Sequence, residues 1–216
     1  MAKGALRPRS GFHGKFEHFS MVDISLSRRE NREMDTATEA WVRKDYREIR
    51  NDPVGYAHSC LFVEWLLFSV TGSEPSHPMF HLIGSVLDSF AKGPPFWPVQ
   101  CSGMEKVLRL SGFAMELDRC VRCGKESPRN PAWSPGDGGI VCGGCSGDGD
   151  GEVPAGILAF LKKTGKAPVE AARRISLWKG GFKHCFRVLE EFAEIHLEKR
   201  KTFKSLSVLE DLEDDR

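Results

Sequence analysis

The chain of 216 residues is long enough for one large domain or two small ones with a buried core. Its 40% hydrophobic and 28% charged residues are ordinary for a globular protein, and the net charge of +1 indicates no particular class of partner. The charge is unevenly distributed, because residues 1–16 hold four cations and no acid, whereas residues 210–216 hold five acids and one base.

The N-terminus lacks the apolar core of a secretory signal. The strongest apolar stretch, residues 61–70, is ten residues long and interrupted by Glu64, which is too short for a bilayer about 30 Å thick. We therefore expect a cytoplasmic protein without a membrane partner. Thiols stay reduced in that compartment, so paired cysteines are more often metal ligands than disulfides.

The first fifty residues predict strands and loops. Phe16, Phe19, Met21 and Ile24 are candidates for one face of a strand, punctuated by glycines. Residues 33–46 are expected to continue as a strand before the chain turns helical.

Helices are predicted after this region. Asp52 and Pro53 are typical of a helix start. The apolar pattern predicts three helices after them, over residues 54–71, 76–90 and 98–111. A segment rich in glycine, proline and cysteine follows, and two further helices are predicted over residues 154–163 and 181–199. The first three resemble a small bundle. Cys60, Cys101 and Cys185 are expected to be buried as small hydrophobic side chains, and the acidic end to be disordered.

Two cysteine pairs form the clearest motif: Cys120 with Cys123, and Cys142 with Cys145, separated by 18 residues. This spacing is typical of a four-cysteine zinc site, because two residues between ligands allow one tight turn to direct both sulfurs at one ion. We therefore predict one structural zinc ion.

Three other interpretations of the cysteines stay open at this point. A redox pair of the thioredoxin type would need a single pair at a helix start in a strand–helix–strand context. A catalytic zinc would need an open ligand position and usually histidine or carboxylate ligands. A disulfide or a degenerate site is the remaining alternative.

The N-terminal stretch interleaves cations with phenylalanines. Lys3, Arg7, Arg9 and Lys15 suit phosphate contacts, and nearby aromatic rings suit stacking on single-stranded bases. The alternative is an ordinary basic turn whose phenylalanines face a core.

Four segments in chain order resemble the RecO family of bacterial DNA repair proteins: AKGALRPRS, LSGFAMELDRCVRCG, SPGDGGIVCGGC and VLEEFAEIHLEKRKTFKSL. The family pattern falls on Gly112, Phe113, Leu117, Cys120 to Gly124, Ser134, Pro135, Gly138, Gly139, Cys142, Cys145, His196, Lys204, Ser205 and Leu206. The resemblance covers nearly the whole chain except the acidic tail, and its cysteine–glycine segment is the most specific part.

The resemblance implies an α+β protein: an OB-like β domain over residues 1–50, then a mainly α-helical domain over 51–207 with a zinc finger inserted at 117–147, and an acidic tail over 208–216. It implies a recombination mediator of the RecF pathway and not an enzyme. Such a protein binds single- and double-stranded DNA, anneals complementary strands, and with RecR helps load RecA onto DNA coated by the single-strand-binding protein SSB. It acts at the bacterial nucleoid.

Family members usually have further strands before the Ala-Lys-Gly stretch. We therefore expect a reduced or incomplete barrel, or one that a partner completes. Lys3, Arg7, Arg9 and Lys15 are the candidate DNA-binding residues. Secondary candidates, each also an ordinary solvated charge, are Arg122, Arg173, Arg174, Lys199, Arg200 and Lys201.

Two other functions compete with DNA repair. One is a zinc-finger scaffold that docks proteins without binding DNA. The other is an enzyme such as a zinc hydrolase or thiol oxidoreductase, but the sequence contains no P-loop, no His-Glu-x-x-His motif and no Ser-His-Asp layout.

Overall fold

A computed structural model describes residues 10–27, 35–70, 72 and 76–214. The elements are β1 (Ser20–Ser27), β2 (Thr36–Asp45), α1 (Arg47–Asn51), α2 (Pro53–Ser69), α3 (His77–Phe90), α4 (Trp97–Leu110), β3 (Ala132–Ser134), β4 (Gly139–Val141), α5 (Ala155–Gly165), a 3₁₀ helix (Val169–Arg174), α6 (Gly181–His196) and α7 (Lys204–Asp214). None of these helices is long and apolar enough to cross a membrane.

The N-terminal part is a two-stranded antiparallel ladder. β1 pairs with β2 so that Val22 faces Val42 and Ile24 faces Ala40, with two irregularities in the register. Within the described residues these two strands pair only with each other, so the OB-like barrel is not confirmed. Residues 33 and 34 of the expected strand lie outside the described part of the chain, and its remainder is confirmed by β2, which α1 follows.

The predicted apolar strand face is wrong. Phe16 precedes β1, and Phe19 has a positive φ of 59° just before the strand begins. Met21 and Ile24 are an odd number of residues apart, whereas side chains of one strand face alternate with a period of two. Ile24 is accordingly exposed.

The helical core forms around α2 and α4. Asp52 caps α2 by accepting a hydrogen bond from the Val54 amide, as its position before Pro53 predicts. Trp65 is fully buried, and its indole Nε1–H donates to the Met104 carbonyl at 3.1 Å. The five predicted helices all exist, with ends that differ by a few residues. Cys101 and Cys185 are buried as expected, whereas Cys60 is half-buried.

The hairpin is attached to the helices through α3. The Tyr46 hydroxyl donates to Asp88 at 2.6 Å, and the Lys44 ammonium lies 2.5 Å from the same carboxylate. Arg173 fixes the turn after α3 by donating to the carbonyl oxygens of Ser89, Gly93 and Pro94. The contacts of Tyr46 and Lys44 with Asp88 join the end of β2 to the bundle.

The acidic C-terminal segment is helical as far as Asp214, so the expectation of disorder is wrong for its described part. α7 packs along α2, and Leu209 in its middle is fully buried. The Glu213 carboxylate accepts from the Trp97 indole at 2.6 Å and pairs with Lys183 at 2.9 Å. Leucines at 206, 209 and 212 recur every three residues, which gives an acidic segment an apolar side to bury.

Candidate metal centre

Two tight turns carry the cysteine pairs. In the first, the Gly124 amide donates to the Cys120 carbonyl at 2.9 Å, and Gly124 has φ +74°. In the second, the Cys145 amide donates to the Cys142 carbonyl at 2.8 Å. Glycine after the first pair suits the left-handed conformation that the turn requires.

A short antiparallel hairpin brings the second turn to the first. β3 and β4 pair Trp133 with Ile140, and the Val121 amide of the first turn donates to the Ile140 carbonyl at 2.9 Å. On the same edge of β4, opposite β3, Gly139 lies against Glu116, where a Cβ atom would be 2.2 Å from the Glu116 carbonyl oxygen. Only glycine fits that position.

The four cysteine sulfurs converge. They all lie within 4.8 Å of one another, and the Cys123 and Cys142 sulfurs are 3.7 Å apart. A tetrahedral zinc site with bonds of about 2.3 Å has sulfur–sulfur edges of about 3.8 Å. The cluster therefore has the donor set and spacing to hold one metal ion.

The sulfurs differ in their surroundings. The Cys142 amide donates to Cys120 Sγ at 3.3 Å, and this bond is the main reason why the pKa of Cys120 falls from 9.0 to about 6. The side chains of Cys123 and Cys142 raise the pKa of Cys145 to about 12. Four thiolates this close repel one another, so a bound cation is what allows all of them to ionise.

The geometry separates the alternatives for these cysteines. All four are free thiols, and 3.7 Å is far from the S–S bond length of about 2.05 Å. Neither pair begins a helix, as a thioredoxin-type redox pair does. Four protein thiols complete a tetrahedron, whereas a catalytic site keeps one position open. The arrangement could hold a metal ion with four sulfur ligands.

Arg122 holds the outside of this finger together. Its guanidinium donates to the Asp150 carboxylate with both NH groups at 2.6 and 2.8 Å, and to Asp137 at 2.8 Å. It also donates to the Cys145 carbonyl at 2.6 Å. Arg122 lowers the pKa of Asp150 to about 2. As a secondary DNA contact it is therefore a poor candidate, because its donors are committed to the finger.

The finger docks on α6 through aromatic side chains. Trp133 packs against Phe192 with ring centroids 6.2 Å apart, and Phe192 packs against His196 at 4.2 Å. The His196 imidazole bonds to the Pro135 carbonyl at 2.8 Å. The resemblance pointed to this histidine, and the structure assigns it a contact between helix and finger.

Of the four DNA-binding candidates, Lys15 falls within the described residues. Lys3, Arg7 and Arg9 fall outside the described residues. The Lys15 ammonium donates to the Ala40 carbonyl of β2 at 2.7 Å.

The secondary candidates divide into two groups. Arg173 binds carbonyl oxygens of the α3–α4 turn, and Lys201 donates to the Glu64 carbonyl at 2.9 Å, so both serve the fold. The second group consists of candidates at exposed positions: Arg174, Lys199 and Arg200.

Some residues of the site have no signal in the sequence. Asp137 and Asp150 are 15 and 28 residues from Arg122, and no spacing rule connects them. The Glu116 carboxylate accepts from the amides of Asp118 and Arg119, which shapes the approach to the first cysteine. In the sequence alone, scattered acidic residues in a glycine-rich segment indicate only a solvated loop.

The fold and the cluster define a class: a mainly helical protein with an inserted four-cysteine finger that could hold a metal ion. The family model described as "Recombination protein O C terminal" matches residues 50–206, and the chain belongs to this RecO family.

Curated relatives carry the same family name. The DNA repair protein RecO of Rubrobacter xylanophilus is 32% identical over 177 residues, covering 80% of this chain and 70% of that protein. That of Anaeromyxobacter sp. strain K is 28% identical, covering 92% and 80%. That of Alkaliphilus metalliredigens is 24% identical, covering 96% and 85%. These names describe DNA repair and recombination proteins and no catalysed reaction, in agreement with the expectation of a non-enzyme.

Proposed function

We propose that Cys120, Cys123, Cys142 and Cys145 hold one structural Zn²⁺ ion. Support comes from the four-sulfur donor set, which is typical of structural zinc, and from the sulfur spacing. Zinc supplies folding free energy here and no chemistry, and for such sites it amounts to about 10 kcal/mol or more at neutral pH. The finger is poor in helix and strand, so this contribution holds its turns together.

We propose further that the protein is a mediator of homologous recombination of the RecF pathway. It would bind single- and double-stranded DNA, anneal complementary strands, and with RecR help load RecA onto SSB-coated DNA. The observation that carries this proposal is the family match over residues 50–206 together with relatives named as DNA repair proteins. We expect it to act in the cytoplasm, at the nucleoid.

The physical basis is competition between this protein and SSB for the same DNA strand, which is a polyanion. Cations that contact phosphates release condensed counterions, so binding strengthens as salt falls. Weak contacts with DNA, SSB and RecR, made together, raise the effective concentration of each partner near the others. The mediator then needs only to hold strands long enough for exchange, without displacing SSB by affinity alone.

We assign the DNA contacts to Lys3, Arg7, Arg9 and Lys15. A lysine ammonium has three N–H donors, and Lys15 uses one on the Ala40 carbonyl. The remaining donors are available to a phosphate. The contact with β2 would thus fix the position of this cation beside the DNA.

The decisive experiment is strand annealing by the zinc-loaded chain at several salt concentrations. We expect annealing without ATP, with binding that weakens steeply as salt rises. Replacing Lys3, Arg7, Arg9 and Lys15 by alanine should reduce the salt slope for single strands by about 3, since each lost phosphate contact contributes about 0.7. The matched control replaces four exposed cations elsewhere by alanine: Lys125, Arg129, Lys163 and Lys179.

Equal losses in both variants would contradict the assignment of these contacts, and DNA binding that does not change with salt would contradict the mechanism.

One observation favours the scaffold that docks proteins without DNA. Residues 10–50 carry eight Lys or Arg and eight Asp or Glu, so the excess of positive charge in the N-terminal region comes from residues 1–9 alone. The annealing experiment separates the two functions, because a scaffold of this kind would leave complementary strands unpaired.

A further inference from the structure

A groove runs between the finger and the helices α5 and α6. It consists of two adjoining cavities of about 270 and about 800 Å³. Both are lined by Asp150, Gly151, Glu152 and His184, so the finger segment after the last cysteine forms their common wall. The metal-ligating cysteines line neither cavity, and the groove is a separate surface of the finger.

The larger cavity has an apolar floor, and the smaller one has an acidic rim. Val153 and Leu158 are buried beneath the larger cavity. Asp148, Glu152 and Glu191 are exposed around the smaller cavity. Within the described part of the chain these three carboxylates form no ion pair.

Each cation that lines the groove has a carboxylate within 4 Å, and Lys162 shares Asp118 with Lys166. Arg187 pairs with Glu190 at 2.8 Å, and Lys162 lies 3.7 Å from Asp118. Asp150, in contrast to the rim acids, is committed to Arg122. The open charge of the groove is therefore negative, which repels phosphate and attracts lysine or arginine.

Trp133 provides an independent sign of a ligand. It lines the smaller cavity, and its side chain is only 2% exposed. Its indole Nε1–H has no hydrogen-bond partner among the described residues. Buried indole N–H groups usually have an acceptor. This nitrogen has less than 1 Å² of accessible surface, so an acceptor delivered through the groove would reach it only with a shift of the ring.

We propose that this groove binds a basic peptide segment of a partner protein. Lysine or arginine side chains pair with Asp148, Glu152 and Glu191, and an apolar side chain of the same segment occupies the larger cavity. A carbonyl oxygen of the peptide accepts the Trp133 N–H. The finger thus presents a protein-binding surface from which its acidic rim excludes DNA, and this role is independent of whether the N-terminal segment binds DNA.

The test uses a fluorescein-labelled eight-residue peptide of alternating lysine and leucine, with an alternating glutamate and leucine peptide for comparison. Anisotropy with the zinc-loaded full chain measures binding. The groove variant combines Glu152→Lys with Glu191→Lys. The matched control combines Glu210→Lys with Asp211→Lys, which reverses two exposed acids on α7.

The basic peptide should bind, and the groove variant should bind it about tenfold more weakly, because two exposed attractions become repulsions. The control should change binding less than twofold. In ¹⁵N spectra the indole N–H signal of Trp133, identified by its loss in Trp133→Phe, should shift on addition of the basic peptide.

Equal binding of both peptides, equal weakening in the groove variant and the control, or an unmoved Trp133 signal would each overturn the proposal. Strand annealing measured on the same samples keeps the two proposals distinguishable. Its absence from the unchanged protein would count against the repair mechanism and leave the peptide result standing.

Discussion

His196, on the last turn of α6, is bonded through its Nε2 to the carbonyl oxygen of Pro135 in the finger at 2.8 Å. A carbonyl oxygen only accepts, so Nε2 carries the proton of this bond. Pro135 lies in the turn that leads into β4 and the second cysteine pair. One imidazole therefore joins the helical domain to the element that positions Cys142.

Replacing His196 by alanine should destabilise the protein by about 1–2 kcal/mol, because the Pro135 carbonyl loses its partner and Phe192 loses a ring that packs against it. Urea unfolding of the zinc-loaded chain measures this change. His184→Ala, at an exposed position on the same helix, is the control and should change stability by less than about 0.5 kcal/mol. Equal free energies of unfolding of the two variants would show that the hydrogen bond between His196 and Pro135 does not stabilise the fold.

Arg122 should control how tightly the finger retains its metal. Arg122→Lys keeps the charge but loses the planar fork that binds Asp137, Asp150 and the Cys145 carbonyl. We expect severalfold faster zinc transfer to a chelator, followed by the absorbance of the zinc–chelator complex. Arg129→Lys, at an exposed position in the same finger, serves as the control. A transfer rate equal to that of the unchanged protein would refute a clamping role.

Gly139 should tolerate no side chain. An added Cβ would lie 2.2 Å from the Glu116 carbonyl oxygen, so Gly139→Ala must force the two segments apart. Overpacking of this kind costs about 1–3 kcal/mol, and here the displaced backbone also leads to the cysteines. Gly136→Ala is the matched control, because its Cβ would meet nothing within 4 Å. Thermal unfolding distinguishes them, and comparable midpoints would contradict the close approach.

His58 should make stability depend on pH. Burial lowers the pKa of His58 from 6.5 to about 4, despite opposing contributions from Gln100, Glu213 and Asp52. His58 takes up a proton near pH 6.5 in the unfolded chain but only near pH 4 in the folded chain. The stability that depends on its neutral, buried ring is therefore complete above pH 6.5 and is lost as the pH falls toward 4. Between pH 7.5 and 5 the loss is about 2 kcal/mol.

The measurement for His58 compares chemical denaturation at the two pH values in the unchanged protein and in His58→Leu. The variant removes the titrating ring and keeps an apolar side chain, while all other acids titrate as before. Its stability should fall by about 2 kcal/mol less than that of the unchanged protein. Identical pH dependence in both would mean that His58 is already solvated in the folded state.

The metal cluster and most helices follow from local rules. Two cysteines separated by two residues predict a turn whatever surrounds them, and Asp52 before Pro53 marks a helix start. Helix α7 lies outside the predicted helices, because its acidic composition favours a solvated end whereas the spacing of its leucines favours a helix. The burial of Leu209 in the bundle shows that the leucines prevail. The contacts of Arg122 depend on distant residues that the fold alone brings together.

X-ray absorption at the zinc edge of the purified chain tests the central claim most directly. We predict one zinc per chain, bound by four sulfurs at about 2.3 Å, with one sulfur fewer in Cys123→Ser wherever that variant still retains zinc. Oxygen or nitrogen ligands in the unchanged protein, or a folded chain that binds no zinc while all seven cysteines react with an alkylating reagent, would contradict it.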